Sequence, residues 1–377
     1  DLKMAVRRHR PGNGRSAGVG RASHEAGIHR GQRIDGGDMK KHEGDWKREL
    51  QDILQMKGRV TARGKVKPVS NRTLHARETV MFMCMKQIRE LGYDIQSVRS
   101  LKGRHVDALV ARWKEEGISG GTIQNRLSNL RALCKWIGKE GMVQRTEKYA
   151  EAGEDPKRLK REVVAKEDKS WTARGVIPER MIHEVSLADP RVGLQLKLIH
   201  AFGLRREEAI QFRPHVVDEG GVLRIREGTK GGRERMVPVE SDYQREVLAE
   251  VKKYVPRWDS HMGRPRKTLK QNIDHFTYVM AKMGITRKDL GVTAHGLRHQ
   301  RLNDIFEEVA GVPSPVRQAG GGQRIVTGDL KLWKQAQQKV SNVAGHARLS
   351  ISSAYTGSVI SVGKPRLDWT AGEVSSA

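Results

Sequence analysis

Apolar residues in the first third of the chain recur with a helical period. Trp46, Leu50, Ile53 and Leu54 share one face of a segment that starts near Glu43. A basic loop is expected over 57–70. A second helix is predicted over 72–91, with Gly92 as its stop. A third, over 102–116, carries Val106, Leu109, Val110 and Trp113 on one stripe. A fourth, over 122–138, repeats Ile123, Leu127, Leu130, Leu133 and Ile137, and turns Arg126, Arg131 and Lys135 elsewhere. Residues 42–142 are therefore expected to fold as a compact bundle of four helices with basic outer faces.

The pattern then breaks. Residues 143–172 carry dense mixed charge and few apolar anchors, which reads as a linker that is helical in part at most. Regular spacing resumes at Trp171. Helices are predicted at 178–186, 190–201 and 205–212. Two short apolar runs, at 222–226 and 235–239, flank Gly228-Thr229-Lys230-Gly231-Gly232 and predict a β-hairpin. Further helices are predicted at 241–255, at 268–283, from His295 to Val309, and at 329–344. The Gly- and Pro-rich stretch 310–328 reads as a surface loop. The expected organisation is a basic, disordered tail over 1–41, a helical domain over 42–142, a linker, a second domain over 173–357 and a tail over 358–377. The disordered reading of the first segment follows from its lack of apolar periodicity. The alternative is an upstream extension with Met39 as the natural start. There are no internal repeats.

Composition narrows the partner. The chain has 377 residues, 37% of them hydrophobic, a formal net charge of +27 and a pI near 10.3. Such an excess of positive charge points to a polyanion, nucleic acid first. The two cysteines, Cys84 and Cys134, sit inside apolar helical patterns and form no CxxC, which suits a reducing cytoplasm. No apolar run approaches the roughly 18 residues of a membrane span. The N-terminus has no apolar core of a secretory signal.

Six residues carry candidate chemistry. Arg205, in Gly203-Leu204-Arg205-Arg206-Glu207-Glu208, offers a planar fork of donors suited to a phosphate, and Glu208 on the same helical face could orient it. Lys230 sits in the hairpin turn. Taken alone it is an ordinary solvated lysine, but nearby cations would lower its pKa and let it donate a proton, with Arg233 and Arg235 as alternatives. His295 and Arg298 stand three apart on one helix and project to the same side, whereas His299 is expected to point off that face. His295 and His299 lack the glutamate of HExxH and any completing ligand cluster, so neither metal nor cofactor is expected. Gly345-His346 precedes Tyr355 by nine positions, counted from the histidine. In one unbroken helix those two side chains would oppose each other, so a turn near 348–351 is expected between them. A tyrosyl oxygen can attack phosphorus and hold it covalently, and flanking arginines would stabilise the pentavalent transition state.

In order, GLRxxE, the TKGG hairpin, HGLRH, GH and the tyrosine nine positions on resemble the tyrosine recombinase family, of the phage-integrase type. The likeness runs from about Arg174 to Tyr355, with a weaker match of the four-helix region to that family's core-binding domain. It implies a mainly α fold with a small β-hairpin: a helical core-binding domain followed by a mixed α/β catalytic domain. It implies that Arg205 and Arg298 bind the scissile phosphate and that Lys230 is the general acid for the leaving 5′-hydroxyl. His295 would assist proton transfer at the nucleophile, His346 would hydrogen-bond the phosphate, and Tyr355 would form a 3′-phosphotyrosine link. It further implies double-stranded DNA as substrate, a homotetramer on paired sites, accessory DNA-bending or directionality proteins, and a cytoplasmic, nucleoid-associated location with no membrane contact. The interval from Arg298 to His346 is longer than the family pattern, no folded arm-binding domain is evident in the residues before the bundle, and the segment after Tyr355 is short.

Two other readings share these residues. A topoisomerase- or resolvase-like enzyme would nick and reseal without exchanging partners. A DNA-binding regulator on the same scaffold would lack a nucleophile or clamp, and all six polar residues are present. A metal-dependent nuclease would need a carboxylate cluster, which the sequence does not show.

Overall fold

A computed structural model of the chain describes residues 45–59, 69–161, 163–318, 328–346, 348 and 351–358. The side chains of Lys157 and Lys230 lie outside that description. The expectations for 1–41, for most of the basic loop and for the tail after 358 fall outside the described residues.

Four helices form the first apolar cluster: α1 (Trp46–Lys57), α2 (Asn71–Glu90), α3 (Gly103–Glu115) and α4 (Gly120–Trp136). Local capping starts the first two. Asp45 accepts from the backbone N–H groups of Lys47 and Arg48 at 3.1 Å, and Ser70 accepts from that of Thr73 at 3.2 Å. Leu50, Met81, Cys84, Leu109, Trp113, Leu127 and Leu133 are all fully buried, at 0% exposure. Each such aliphatic side chain contributes about 1.5–3 kcal/mol on leaving water. The indole N–H of Trp113 donates to Gln87 Oε1 at 2.8 Å, so the largest core side chain leaves no polar atom stranded.

Residues 143–172 are more anchored than their charge suggests. Val143 and Leu159 join the first cluster, and single 3-10 turns occupy Thr146–Tyr149 and Pro156–Leu159. Further on, the Ala165 N–H donates to the Ser353 carbonyl at 2.9 Å, and Trp171, at 0% exposure, donates its indole N–H to the Thr293 carbonyl at 2.8 Å. Val143, Leu159, Ala165 and Trp171 thus anchor a segment in which Thr146 and Ser170 are buried as well.

The second cluster is built around α6 (Pro190–Phe202). This helix follows α5 (Pro178–Ala188) and is capped by Asp189, which accepts from the Val192 N–H at 3.0 Å. Its Val192, Leu194, Leu196, Leu198, Ile199 and Phe202 are buried all round, the signature of a helix at the centre of a domain. Next come α7 (Arg206–Ile210) and α8 (Pro214–Val217), then strands β1 (Val222–Ile225) and β2 (Arg235–Pro238). The strands pair antiparallel, with Val222 opposite Pro238 and Ile225 opposite Arg235. Around this core lie α9 (Asp242–Tyr254), α10 (Leu269–Lys282), α11 (Ala294–Ala310), α12 (Pro315–Gln318), α13 (Leu330–Ala344) and α14 (Ser353–Thr356).

The fold is mainly helical, with one two-stranded sheet among the described residues. It differs from the sequence expectation in three short pieces. α7 is five residues rather than eight, α8 was not anticipated, and the stretch expected as a surface loop contains α12, with Ser314, Pro315 and Val316 buried. The Ser314 hydroxyl reaches Asn303 Oδ1 at 2.5 Å, which pulls that turn against α11. No described helix is long and apolar enough to cross a membrane.

Candidate active site

Arg205 stands at the N-cap of α7, and Glu208 folds back on it. The Arg205 N–H donates to Glu208 Oε2 at 2.7 Å, and its Nη1 donates to Glu208 Oε1 at 2.6 Å. The Glu208 side chain is fully buried, while that of Arg205 keeps 21% exposure. The i, i+3 spacing places the pair on one helical face, as the sequence suggested. Arg235, opposite Ile225 on β2, donates from Nη2 to Glu208 Oε2 at 2.5 Å. Burial pushes the Glu208 carboxyl up. The charges of Arg235, Arg298 and Arg205, with the Arg205 N–H, outweigh this and hold it below the ordinary carboxylate range.

Arg298 lies on α11 with no exposed surface. Its Nη1 donates to the Gly203 carbonyl and its Nη2 to the Ala344 carbonyl, the latter at 2.8 Å. Arg205 Nη2 donates to the same Ala344 oxygen at 2.8 Å. One backbone oxygen at the end of α13 therefore joins the two arginines. Arg298 also donates from Nε to the Tyr355 hydroxyl at 3.1 Å, with its guanidinium 5.2 Å from the ring centre. Tyr355 is carried by α14 and is 6% exposed.

Three imidazoles surround that phenol. The His346 ring stacks on Tyr355 at 5.6 Å, His295 lies 5.9 Å away, and His299 is nearest at 4.7 Å. The expected break between His346 and Tyr355 is real: α13 ends at Gly345, and Tyr355 belongs to the separate α14. Of the positions 348–351 where the turn was expected, 349 and 350 lie outside the described residues. The expectation for His299 is corrected. Four residues along a helix advance a full turn plus about 40°, so His295 and His299 share a face, and their rings meet at 5.0 Å.

Both histidines are held neutral. Crowding by the surrounding protein, then Arg298, Arg205, Lys169 and Arg287, push His295 down to about 4, although the residue is exposed to solvent. Burial, then His295, Lys169 and Arg298, push His299 down to about 3. A neutral imidazole beside a phenol can accept its proton.

Lys230 opens a 3-10 turn between the two strands, with its side chain outside the described residues. Arg235 is not a stand-in for it. Its side chain is 3% exposed, and burial pulls its guanidinium down to about 10 against the opposing charge of Glu208. The sequence signal for this burial was the alternation of β2: Arg235 and Val237 share the inward face. Five of the six candidate residues thus gather around Arg298 and Tyr355. The arrangement offers cationic donors for a phosphate, one hydroxyl nucleophile and neutral proton acceptors. Among the described residues, no group of three or more His, Cys, Asp or Glu side chains could hold a metal ion.

Residues 52–143 match the family model for the phage integrase N-terminal domain, and residues 168–304 match the integrase model. Together they cover more than half of the chain. None of the curated proteins matches it in sequence. Among solved structures, a lambda integrase dimer bound to a COC′ core site is similar at 13% identity and a TM-score of 0.52, over 81% of this chain and 77% of that one. A lambda integrase tetramer bound to a Holliday junction is similar at 14% identity and a TM-score of 0.51, over 84% and 78%. The Tn1549 transposon integrase with transposon right end DNA is similar at 14% identity and a TM-score of 0.52, over 83% and 96%. At these identities the structural likeness concerns the fold.

Proposed function

The chain belongs to the tyrosine recombinase family, and from that premise we propose how its own residues cut and rejoin DNA. As a member of this family it is a site-specific recombinase, a DNA strand transferase. Arg205 and Arg298 bind the scissile phosphate, Arg205 forming the open edge of the clamp and Arg298 the buried one. The Tyr355 oxygen forms a bond to phosphorus while the bond from phosphorus to the 5′-oxygen breaks. The phenolic proton passes to His295, which is neutral and beside the ring. Lys230 gives a proton to the departing 5′-oxygen, and His346 hydrogen-bonds a nonbridging oxygen. The product is a 3′-phosphotyrosine link that keeps the bond energy for rejoining, so no cofactor is called for. Attack by a partner strand's 5′-hydroxyl reverses each step.

The observation that carries this reading is the shared hydrogen-bonded cluster. The Ala344 carbonyl accepts from both arginines, and Arg298 also donates to the nucleophile's hydroxyl. Clamp and nucleophile belong to one unit before any DNA arrives, which lowers the entropy of reaching the transition state. The substrate is double-stranded DNA, consistent with the charge of +27. The assembly is a homotetramer on paired sites, as the lambda integrase tetramer on a Holliday junction suggests. The biological role is integration or excision of a mobile element, assisted by DNA-bending or directionality proteins. The helical unit over 42–142 and the catalytic unit over 173–357 clamp the duplex from opposite sides, joined by 143–172.

The test is covalent capture. Cells are lysed under denaturing conditions, the protein is purified, and attached DNA is sequenced. Recovered fragments share one junction, and Tyr355→Phe retains DNA binding but carries no covalent DNA. Normal trapping by Tyr355→Phe would overturn the nucleophile assignment.

A further inference from the structure

The hairpin that carries Lys230 is fastened to α7 on both sides of its turn. Before the turn, Gly228 has φ +71°, and a Cβ there would stand 2.6 Å from the backbone of Glu207 and Glu208. After the turn, Arg235 donates to the Glu208 carboxylate at 2.5 Å, with both side chains buried. That same carboxylate holds Arg205 by side chain and by backbone N–H. The stem of Arg235 also lies against Gly345, at φ +68°, where a Cβ would come within 2.6 Å of Arg235 Cδ. Gly345 immediately precedes His346. Arg235 therefore touches the lysine hairpin, the arginine turn and the histidine corner at once.

We propose that Arg235 is a positioning residue for strand cleavage: bridged to Glu208 and packed against Gly345, it sets Lys230 at the leaving oxygen of the phosphate held by Arg205. This deepens the assignment of Lys230 as general acid and rests on it. A lysine on an unanchored turn samples many positions. Anchoring both stems to the helix that presents Arg205 gives the proton donor and the phosphate a common frame. Arg235 acts through its neighbours rather than on substrate: its side chain is only 3% exposed, and its Nη2 is held by Glu208.

The test separates positioning of the acid from support of the fold. The substrate is a nicked duplex containing the junction recovered by covalent capture, prepared with either oxygen or sulfur bridging phosphorus to the 5′-carbon. With sulfur, the tyrosyl oxygen–phosphorus bond still forms. The phosphorus–sulfur bond breaks and its electron pair leaves as a thiolate, so no proton is needed. On the oxygen substrate Arg235→Met slows formation of the covalent complex by about 100-fold. On the sulfur substrate it returns close to the wild-type rate, as Lys230→Ala does. Gly228→Ala leaves every charge in place and shows the same pattern, which keeps the proposal testable should Arg235→Met fail to fold. Equal loss on both substrates, or loss on neither, overturns the positioning role. Recovery of Lys230→Ala without recovery of Arg235→Met and Gly228→Ala defeats this proposal alone. Failure of Lys230→Ala to recover on sulfur defeats the general-acid assignment and this proposal with it.

Discussion

The two apolar clusters treat arginine in opposite ways. In the helical region Arg126 lies over the Trp113 ring at 5.0 Å, Arg77 lies over Trp136 at 5.4 Å, and Arg131 donates to the carbonyls of Val143 and Gln144. These guanidiniums cover aromatic rings or satisfy backbone carbonyls, each with partners of its own. In the catalytic region Arg205, Arg235 and Arg298 converge around the single carboxylate of Glu208, and two of the three are buried. Dispersed cations on aromatic faces stabilise modestly. Concentrated buried cations are a burden on stability unless their partner is kept. The second arrangement therefore makes sense for the chemistry it prepares rather than for the stability of the domain.

That contrast can be broken by experiment. The largest effect is expected for Glu208→Ala, which leaves buried arginines without their carboxylate and destabilises the folded chain by about 3–5 kcal/mol. Denaturant unfolding measures it, and a loss below that of an ordinary surface substitution would show that the arginines hold one another by other means.

A middle-sized effect concerns pH. His295 and His299 bind protons more weakly in the folded chain, with values near 4 and 3 against an ordinary 6.5. The unfolded chain therefore takes up protons first. The stability contributed by neutral histidine is complete above pH 6.5 and is lost as pH falls through that value toward 4. For buried His299 the loss between pH 7 and pH 5 is about 2 kcal/mol. His105, His200 and His261 are lowered in the same direction. The readout is therefore the difference made by His299→Gln, whose stability should fall less over that interval. An unchanged slope would refute the buried neutral state. The smallest effect is Arg126→Ala in the helical region, about 0.5–1 kcal/mol from the lost contact with Trp113. A loss as large as that of Glu208→Ala would erase the distinction between the regions.

Much of the fold was legible before any coordinates. The stripes of Leu50, Leu109 and Leu127 mark helices whose period is long enough to count, and Gly228 to Gly232 between two apolar runs marks the hairpin, found at Val222–Ile225 and Arg235–Pro238. The short helices α8 and α12 escaped, and the helix expected at 205–212 proved to be only the five residues of α7, because four or five residues complete barely one turn and leave no period to detect. At the site, Glu208 was legible as the orienter of Arg205 because the two are three residues apart. Arg235 was read with Arg233 as an alternative to Lys230, and its burial was not foreseen because arginine is seldom buried without a partner, and its partner lies 27 residues away.

The sequence alone determined the elements with a local cause: helices with an apolar stripe and a capping side chain, a hairpin with a glycine turn, and an ordered set of polar motifs that identifies the chemistry. Tertiary structure alone decided which groups meet. The Ala344 carbonyl joins Arg205 across 139 residues and Arg298 across 46, and His299 turns out to line the tyrosine rather than avoid it. Periodicity reports only which way a side chain faces on its own element. What it faces depends on how the helices pack around α6, and that follows from burying all their stripes at once.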